Sequence, residues 1–268
     1  MTATLPAAPR PRTVPVHRDT AEAGAATGPC VVTVGVFDGM HRGHRRLVGQ
    51  ARAVADRLGL PLVLVTFDPH PARVLGIPRD TATLSTVGHR AELAADAGAD
   101  AVCVLRFTRD VARRRPEEFA REVLARDLRA RAVVVGANFT FGARGGGTVD
   151  TLAELGPGLG FTAHGVPLLQ AVDTPCSSTH VRACLRAGDL AAAARALGRP
   201  HRVDGRRSGR VVALEPDTAL PPAGDYAGLV DGRSATVTLD TAGGLTIDDA
   251  AGPDGPVTVT FLDRRHRT

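Results

Sequence analysis

The sequence predicts an α/β fold in which a parallel sheet covered by helices precedes a smaller antiparallel domain. Up to residue 199, short and almost wholly apolar runs alternate with amphipathic stretches, a pattern typical of buried parallel strands joined by helices. After Pro200, short alternating runs lie between Gly, Pro and Asp, which is typical of antiparallel strands in a small barrel or an open sheet. This change of pattern predicts a domain boundary near residues 199–201.

The first domain is predicted to occupy residues 29–199, behind a tail. Residues 1–28 are rich in Ala, Pro, Thr and Arg and show no periodicity, which is typical of disorder. The predicted strands are residues 31–37, 60–67, 101–107, 131–136 and 160–166, and the predicted helices are residues 41–58, 86–98, 116–130 and 147–156. The first helix is expected to bury one apolar face, formed by Leu47, Val48, Ala51, Val54, Ala55 and Leu58.

The second domain, residues 200–268, contains five short runs with the alternation of β-strands. They are residues 210–214, 225–230, 234–239, 244–247 and 257–262.

Composition excludes several classes of protein. The net charge is +5 and all 33 basic residues are Arg, yet Asp and Glu are mixed among them, so an anionic small molecule fits as well as nucleic acid. Aromatic residues make up only 3% of the chain, which argues against base stacking and a nucleic-acid partner. The four cysteines show no C-x-x-C spacing, which disfavours a disulfide framework and a zinc site. Since no signal-like segment or apolar run of about 18 residues is present, we expect no membrane partner and a cytoplasmic location.

The stretch GVFDGMHRGH at residues 35–44 follows the first predicted strand and opens the first helix. A helix N-terminus at a strand end suits a phosphate, and Gly35 and Gly39 allow the backbone to approach closely. His41 and His44 are three residues apart, so both can donate to the oxygens of a nucleoside triphosphate. The alternative is a surface or capping pair, and a zinc site would need further ligands that the sequence does not supply.

Three further stretches lie at predicted strand ends or helix starts. In TFDPHPARVL (66–75), Pro69 and Pro71 stiffen a turn around His70, although an ordinary loop would look the same. In VGANFTFGARGGG (135–147), Asn138 can pair with the edge of a planar ring, and the alternative is a flexible connection.

The last stretch, CSSTHVRACLRAGD (176–189), opens a predicted helix. Ser177, Ser178 and Thr179 suit a helix N-cap, and Arg182 follows one turn later. These groups can surround a triphosphate, or they can be simple caps beside a solvated Arg.

Together the four stretches resemble one family. G-x-F-D-G-x-H-x-G-H is similar to the nucleotidyltransferase signature of the bacterial bifunctional riboflavin kinase/FMN adenylyltransferases, or FAD synthetases. TFDPHP, VGANFTFG and SSTHVR resemble that family's F-x-P-H-P, V-G-x-[DN]-F-x-F-G and S-S-T-x-[IV]-R segments, in the same order. The resemblance covers residues 30–205 and implies a Rossmann-like nucleotidyltransferase domain.

The resemblance fails in the second domain, where the family carries a riboflavin-kinase barrel. The P-T-A-N motif of that barrel is missing, and Asn138 is the only Asn of the whole chain. After residue 198 the only Glu is Glu215, which comes too early to match the family's catalytic Glu. Residues 200–268 are therefore expected to form a shortened barrel that has lost kinase activity.

The resemblance implies transfer of AMP from ATP to FMN, with FAD and pyrophosphate as products and Mg²⁺ on the ATP. It implies a catalytic role for His41, His44 and Arg182, ATP binding by Gly35, Phe37, Asp38, Gly43, Ser177, Ser178 and Thr179, and flavin binding by Pro69, His70, Pro71 and Asn138. Two alternatives stay open: transfer to another phosphate acceptor or a flavin analogue, and a non-catalytic flavin- or nucleotide-binding protein. The protein ligands of Mg²⁺ and the oligomeric state are not predicted.

Overall fold

A parallel sheet with helices on both faces and a closed antiparallel barrel make up the structure. It is a computed structural model that describes residues 13–167, 170–171, 174–248 and 252–265. We call these two parts the sheet body and the barrel body. Together they confirm the predicted fold class, and closure of the barrel excludes the open sheet that the sequence also allowed.

The parallel sheet has six strands in the order β1-β4-β3-β2-β5-β6. All five residues of β2 are buried, because helices cover the sheet on both faces. The strands are β1 Val16–His17, β2 Cys30–Val34, β3 Leu62–Asp68, β4 Ala101–Arg106, β5 Ala130–Gly136 and β6 Thr162–Val166.

Each predicted helix is present, with ends that shift by a few residues, and the helices at residues 20–27, 71–74, 109–113 and 190–197 were not predicted. The predicted helix 116–130 continues after its first turn as a π-helix, Phe119–Asp127. Leu58, predicted on the buried face of the first helix, is 49% exposed because it is the last residue of that helix. The helices are α1 Thr20–Thr27, α2 Arg42–Leu58, α3 Pro71–Val74, α4 Val87–Asp96, α5 Arg109–Arg113, α6 Pro116–Glu118, α7 Val149–Leu159, α8 Ser178–Arg186 and α9 Leu190–Leu197.

Part of the predicted disordered tail is folded. The prediction is wrong from Thr13 onward, because β1 extends the sheet beside β4 and α1 packs on the π-helix. A Cβ atom on Gly24 would lie 1.8 Å from the carbonyl oxygen of Asp127, so only glycine allows this close packing. Thr20 Oγ1 also donates to Asp127 Oδ2 at 2.8 Å. Residues 1–12 lie outside the described residues.

The barrel closes in the order β10-β13-β12-β11-β14-β9. Its first strand, β9, was not predicted, because His201 and Arg207 are buried positions of the strand and hide the polar-apolar alternation. The remaining strands are β7 Gln170–Ala171 and β8 Thr174–Pro175, which form a separate hairpin, and the barrel strands β9 His201–Ser208, β10 Val211–Leu214, β11 Gly224–Val230, β12 Arg233–Leu239, β13 Leu245–Ile247 and β14 Gly255–Arg264.

The barrel shares its hydrophobic core with α8 and α9. Apolar residues of both helices, and Leu84 from the segment before α4, pack in one cluster with Tyr226 and the other inward-facing barrel residues. By core packing, α8 and α9 therefore belong to the barrel body, although the sequence places its domain boundary after them.

Hydrogen bonds tie the two bodies together at the segment before α4. Thr83 N donates to Asp217 O at 2.7 Å, and Ala219 N donates to Thr83 O at 2.9 Å. Thr86 Oγ1 donates to Asp204 Oδ2 at 2.6 Å. None of the helices within the described part of the chain is both long and apolar enough to cross a membrane.

Candidate functional site

The chain leaves β2 through a tight loop, residues 35–40, that leads into α2. Phe37, Gly39 and Met40 have positive φ angles of 51°, 75° and 38°. Phe37 and Met40 are fully buried, so packing holds them in this strained conformation. A Cβ atom on Gly39 would lie 2.9 Å from Leu84 Cδ1, so the loop packs closely on the barrel core.

The two histidines predicted one turn apart are in contact at the start of α2. His41 is the N-cap residue, and its Nδ1 accepts a hydrogen bond from His44 N at 3.3 Å. The two rings stack with their centroids 3.6 Å apart and their planes at 18°. The edge-to-face contact of His44 with Phe37, at 5.1 Å between centroids, fixes the second ring.

Both imidazoles are neutral near pH 7. Burial lowers the pKa of His41 to about 4, against the opposing charge of Asp38. Burial, and then the neighbouring His41 and Arg90, hold the pKa of His44 well below its usual range. Because Nδ1 of His41 accepts a hydrogen bond, the neutral ring carries its proton on Nε2 and can donate it to an anion.

His70 repeats this arrangement at the end of β3. Its Nδ1 accepts a hydrogen bond from Ala72 N at 3.1 Å, and burial, followed by the charge of Arg182, lowers its pKa to about 4. Pro69 is exposed and Pro71 is half-buried. The capping bond gives this ring a fixed direction as well.

Asp38 is the centre of a buried network below the loop. Its Oδ1 accepts hydrogen bonds from Ser85 N at 3.0 Å and Ser85 Oγ at 3.2 Å, and both carboxylate oxygens lie 3.1 Å from Leu84 N. Arg182 Nη2 donates to Oδ2 at 2.5 Å, and Arg90 Nη2 lies 3.6 Å from Oδ1. One carboxylate thus faces two guanidinium groups, and the network carries a net positive charge that favours an anion nearby.

The predicted hydroxyl residues begin α8, but Arg182 points inward. Ser177 caps the helix, Thr179 is exposed, and Ser178 Oγ donates to Asp38 O at 2.8 Å. Arg182 is 2% exposed, and its Nε donates to Ala82 O at 2.6 Å. The guanidinium therefore binds the Asp38 network and not the surface where a triphosphate would lie.

The N-termini of α2 and α8 meet beside the stacked histidines. A Cβ atom on Gly43 would lie 3.2 Å from the carbonyl oxygen of Cys176 and 3.2 Å from His41 Cε1, so the two helix starts pack closely here. Gly35 allows a second close contact, since its Cβ would lie 3.1 Å from Phe37 Cε2. The first turns of two helices thus lie close together, and helix N-termini suit the phosphates of a polyphosphate.

The end of β5 lies on the same edge of the sheet, next to β2. Asn138 is exposed in the turn after this strand. The glycine-rich loop that follows is held by a bridge between Phe141 and Gly147 and contains a short 3₁₀ turn, Ala143–Gly145. The structure thus places Asn138 beside the strand that leads to the histidines.

Comparison with known proteins agrees with this geometry. A profile of the FAD synthetase family matches residues 24–180, more than half of the 268 residues. The chain belongs to the FAD synthetase family.

Several curated proteins that the chain matches are bifunctional riboflavin kinase/FMN adenylyltransferases. The protein of Pseudomonas fluorescens is 35% identical over 66% of this chain and 57% of its own length. The protein of Listeria monocytogenes is 31% identical over 74% of this chain and 66% of its own length. The protein of Escherichia coli K12 is 32% identical over 66% of this chain and 56% of its own length. The chain thus matches less than two thirds of the length of each relative.

A solved structure extends the likeness of the fold through the barrel. The crystal structure described as a macrolide-efflux protein from Streptococcus pneumoniae superposes with a TM-score of 0.79 over 96% of this chain and 92% of that chain. The sequences are 22% identical, so the likeness concerns the fold alone.

In this FAD synthetase family member, sequence reasoning missed Arg90 beside Asp38 and three aromatic residues on the same edge of the sheet. Arg90 is 6% exposed and donates to Thr66 Oγ1 at 2.9 Å, which ties α4 to the end of β3. It lies in no motif, so no sequence signal identified it. Phe67, Phe107 and Phe139 lie at the ends of β3, β4 and β5, partly exposed on the edge that carries the histidines. Their position at or just beyond the ends of predicted strands was an available signal.

Proposed function

We propose that this chain is an FMN adenylyltransferase that transfers AMP from ATP to FMN and yields FAD and pyrophosphate. An oxygen of the FMN phosphate forms a bond to the α-phosphorus, and the bond from that phosphorus to the pyrophosphate oxygen breaks. Because the FMN phosphate is already an anion, no protein nucleophile is needed. Catalysis then consists of positioning and charge stabilisation.

The observation that carries this proposal is the meeting of the N-termini of α2 and α8 beside His41 and His44. Backbone N–H groups from both helices can bind phosphate oxygens, and both helix dipoles favour negative charge there. The Ser177 and Ser178 segment would hold the β- and γ-phosphates against α8. Gly35 and Phe37 shape the loop that would receive the nucleotide, and Gly43 lies in the first turn of α2.

His41 and His44 would act as neutral donors. The Nε2–H of His41 would donate to an oxygen of the α-phosphate as negative charge moves toward the leaving pyrophosphate. The positive charge would come from Arg90 and Arg182, which flank Asp38 below the loop. We therefore propose that Arg182 positions the loop and supplies charge through the Asp38 network.

The flavin would lie over the ends of β3, β4 and β5. The partly exposed rings of Phe67, Phe107 and Phe139 can contact an isoalloxazine ring, and Asn138 can bind the polar edge of that ring. The turn that carries His70 would close the same side.

Magnesium is expected to arrive with the triphosphate. The described residues contain no group of three His, Cys, Asp or Glu side chains that could hold a metal ion. Asp38 is occupied by its hydrogen bonds to Ser85 and Arg182, so it does not fit a magnesium ligand. The phosphate oxygens of ATP can supply most of the ligands that Mg²⁺ needs.

We further propose that the barrel has no riboflavin kinase activity. The chain has no Asn after Asn138, and Glu215, the only Glu beyond residue 198, lies exposed after β10. The barrel interior is packed with large side chains such as Tyr226 and Phe261, and its core continues into α8 and α9.

A paired assay tests both statements. The full chain with FMN, ATP and Mg²⁺ is expected to give FAD and pyrophosphate, and with riboflavin, ATP and Mg²⁺ it is expected to give no FMN. Chromatography separates the flavins, and a pyrophosphate assay with other phosphate acceptors tests the choice of acceptor. Tight binding of FMN or ATP without any turnover would contradict the first statement, and formation of FMN would contradict the second.

A further inference from the structure

Arg199 lies in the short linker between α9 and β9, and its guanidinium reaches back to the histidine loop. Nη2 donates to Gly39 O at 2.8 Å, and Nη1 lies 3.4 Å from both Met40 O and Leu197 O. The first two carbonyls immediately precede His41 in the chain. The third belongs to the last residue of α9.

Among the described residues, no carboxylate lies within ion-pair distance of this guanidinium. Burial, together with the charges of Arg45 and Arg202, lowers the pKa of Arg199 to about 10, so the group stays charged near pH 7. A partly buried charge without a counter-ion is costly unless dipoles satisfy it. The C-terminal carbonyl of α9 and the two loop carbonyls are the groups that stabilise it here.

A hydrophobic contact accompanies the hydrogen bonds. A Cβ atom on Gly39 would lie 3.4 Å from Leu197 Cδ2, so the end of α9 lies directly against the loop. Leu197 is part of the barrel core. The loop that ends in His41 therefore packs on the barrel body and is also hydrogen-bonded to its linker.

We propose that Arg199 is a positioning residue of the adenylyl-transfer site, which fixes the Gly39 and Met40 carbonyls and thereby the direction of the His41 ring. This inference depends on the proposed function. The His41 ring caps α2 through His44 N, so a rotation of the Met40–His41 peptide would displace both the cap and the Nε2 donor. The linker thus transmits the packing of the barrel to the histidine pair.

Steady-state kinetics of FAD formation test this role. Arg199→Gln keeps a polar side chain but loses the reach and charge that serve three carbonyls, so kcat is expected to fall about tenfold to a hundredfold through misplacement of His41. The kcat of Arg199→Lys is expected to lie between those of Arg199→Gln and the wild type, because an ammonium group can donate to some of the same carbonyls. Arg195→Gln, an exposed change one turn earlier on α9, is the matched control and is expected to leave kcat unchanged.

Hydrogen exchange separates this proposal from the proposed function. The amide of His44, which donates to His41 Nδ1, is expected to exchange about fivefold or more faster in Arg199→Gln than in the wild type or in Arg195→Gln. If the wild type forms no FAD, the proposed function is contradicted, but the exchange result still tests whether Arg199 holds the His41 cap in place.

Unchanged exchange at His44 would overturn the proposal. So would a purely structural pattern, in which Arg199→Gln lowers the melting temperature but keeps the wild-type kcat below that temperature. Restoration of part of the kcat of Arg199→Ala by added guanidinium would support it, because the missing group itself is supplied.

Discussion

The helices α2 and α8 point their N-termini at the same place but belong to different hydrophobic cores. α2 packs on the parallel sheet, whereas α8 packs with α9 against the barrel. At α2 the functional side chain, His41, caps the helix at the site, whereas at α8 Arg182 turns inward to Asp38. The two helix N-termini at the candidate site therefore come from different bodies, and the barrel body supplies one of them.

We infer from this difference that the barrel body can support the candidate site without any kinase activity. Three links join the loop before α2 to the barrel body: Ser178 to the Asp38 carbonyl and Arg182 to the Asp38 carboxylate, both from α8, and Arg199 of the α9–β9 linker to the loop carbonyls. A barrel that had lost its own reaction would still be needed to hold these groups. Four changes test how far the two halves depend on each other.

The largest effect is expected from the buried ion pair that joins the halves. Arg182→Gln leaves Asp38 with Arg90 as its remaining cation, and breaking a buried pair costs about 3 kcal/mol of unfolding free energy. Urea denaturation measures the loss. Arg186→Gln, one turn later on α8, breaks only the exposed pair with Asp80 and is expected to cost less than about 1 kcal/mol. Equal losses in the two variants would show that the buried pair does not join the halves.

The α2 half is tested by His41→Ala. Loss of the Nε2 donor is expected to lower kcat about a hundredfold, equivalent to about 2.7 kcal/mol of transition-state stabilisation. His164→Ala, an exposed change on β6, is the control. A loss below about threefold would show that His41 does not act on the transition state.

Acid titration compares buried histidines in the two halves. The pKa of His41 in the site and of His201 in the barrel is lowered by burial to about 4. Since the unfolded value is near 6.5, the unfolded chain binds more protons between pH 6.5 and 4, so stability is present above pH 6.5 and is lost as the pH falls. At about pH 5.5, each such histidine is expected to lower the free energy of unfolding by somewhat over 1 kcal/mol relative to its value above pH 6.5.

Unfolding free energies measured at several pH values test this expectation. His201→Gln is expected to reduce the loss by about one histidine's share, somewhat over 1 kcal/mol, because glutamine does not titrate. An identical pH dependence in the variant and the wild type would contradict the titration of His201.

The smallest effect is expected from the hydroxyl link. Ser178→Ala removes the hydrogen bond to the Asp38 carbonyl and is expected to cost about 1 kcal/mol of stability. Ser208→Ala, exposed on β9, is expected to cost nothing measurable. If the Ser178→Ala protein were as stable as the wild type, the hydrogen bond from Ser178 to the Asp38 carbonyl would not help to join the two bodies.

Much of the fold follows from local pattern, because buried parallel strands are nearly continuous apolar runs. The strands β2 to β6 and α2 were predicted in this way, whereas β9 was missed because His201 and Arg207 occupy buried positions. The folded segment 13–28 was missed because α1 depends on long-range packing of Gly24 and not on its own amphipathic pattern.

The site was predictable where a residue follows a strand or caps a helix, as His41, His70 and Ser177 do. It was not predictable where a long side chain reaches across the fold. Arg90 lies in no motif, and Arg199 lies within the family resemblance, but its contact with the histidine loop has no signal in the sequence. The inward direction of Arg182 depends on how α8 packs against the barrel. Such contacts are set by the tertiary arrangement of the two bodies.

A crystal structure with a non-hydrolysable ATP analogue tests the divided site most directly. The triphosphate is expected to lie between the N-termini of α2 and α8, with the α-phosphate within hydrogen-bond distance of His41 Nε2 and the γ-phosphate at the first turn of α8. A triphosphate bound to one of these helices alone, or on another part of the surface, would contradict the view that the barrel body forms half of the site.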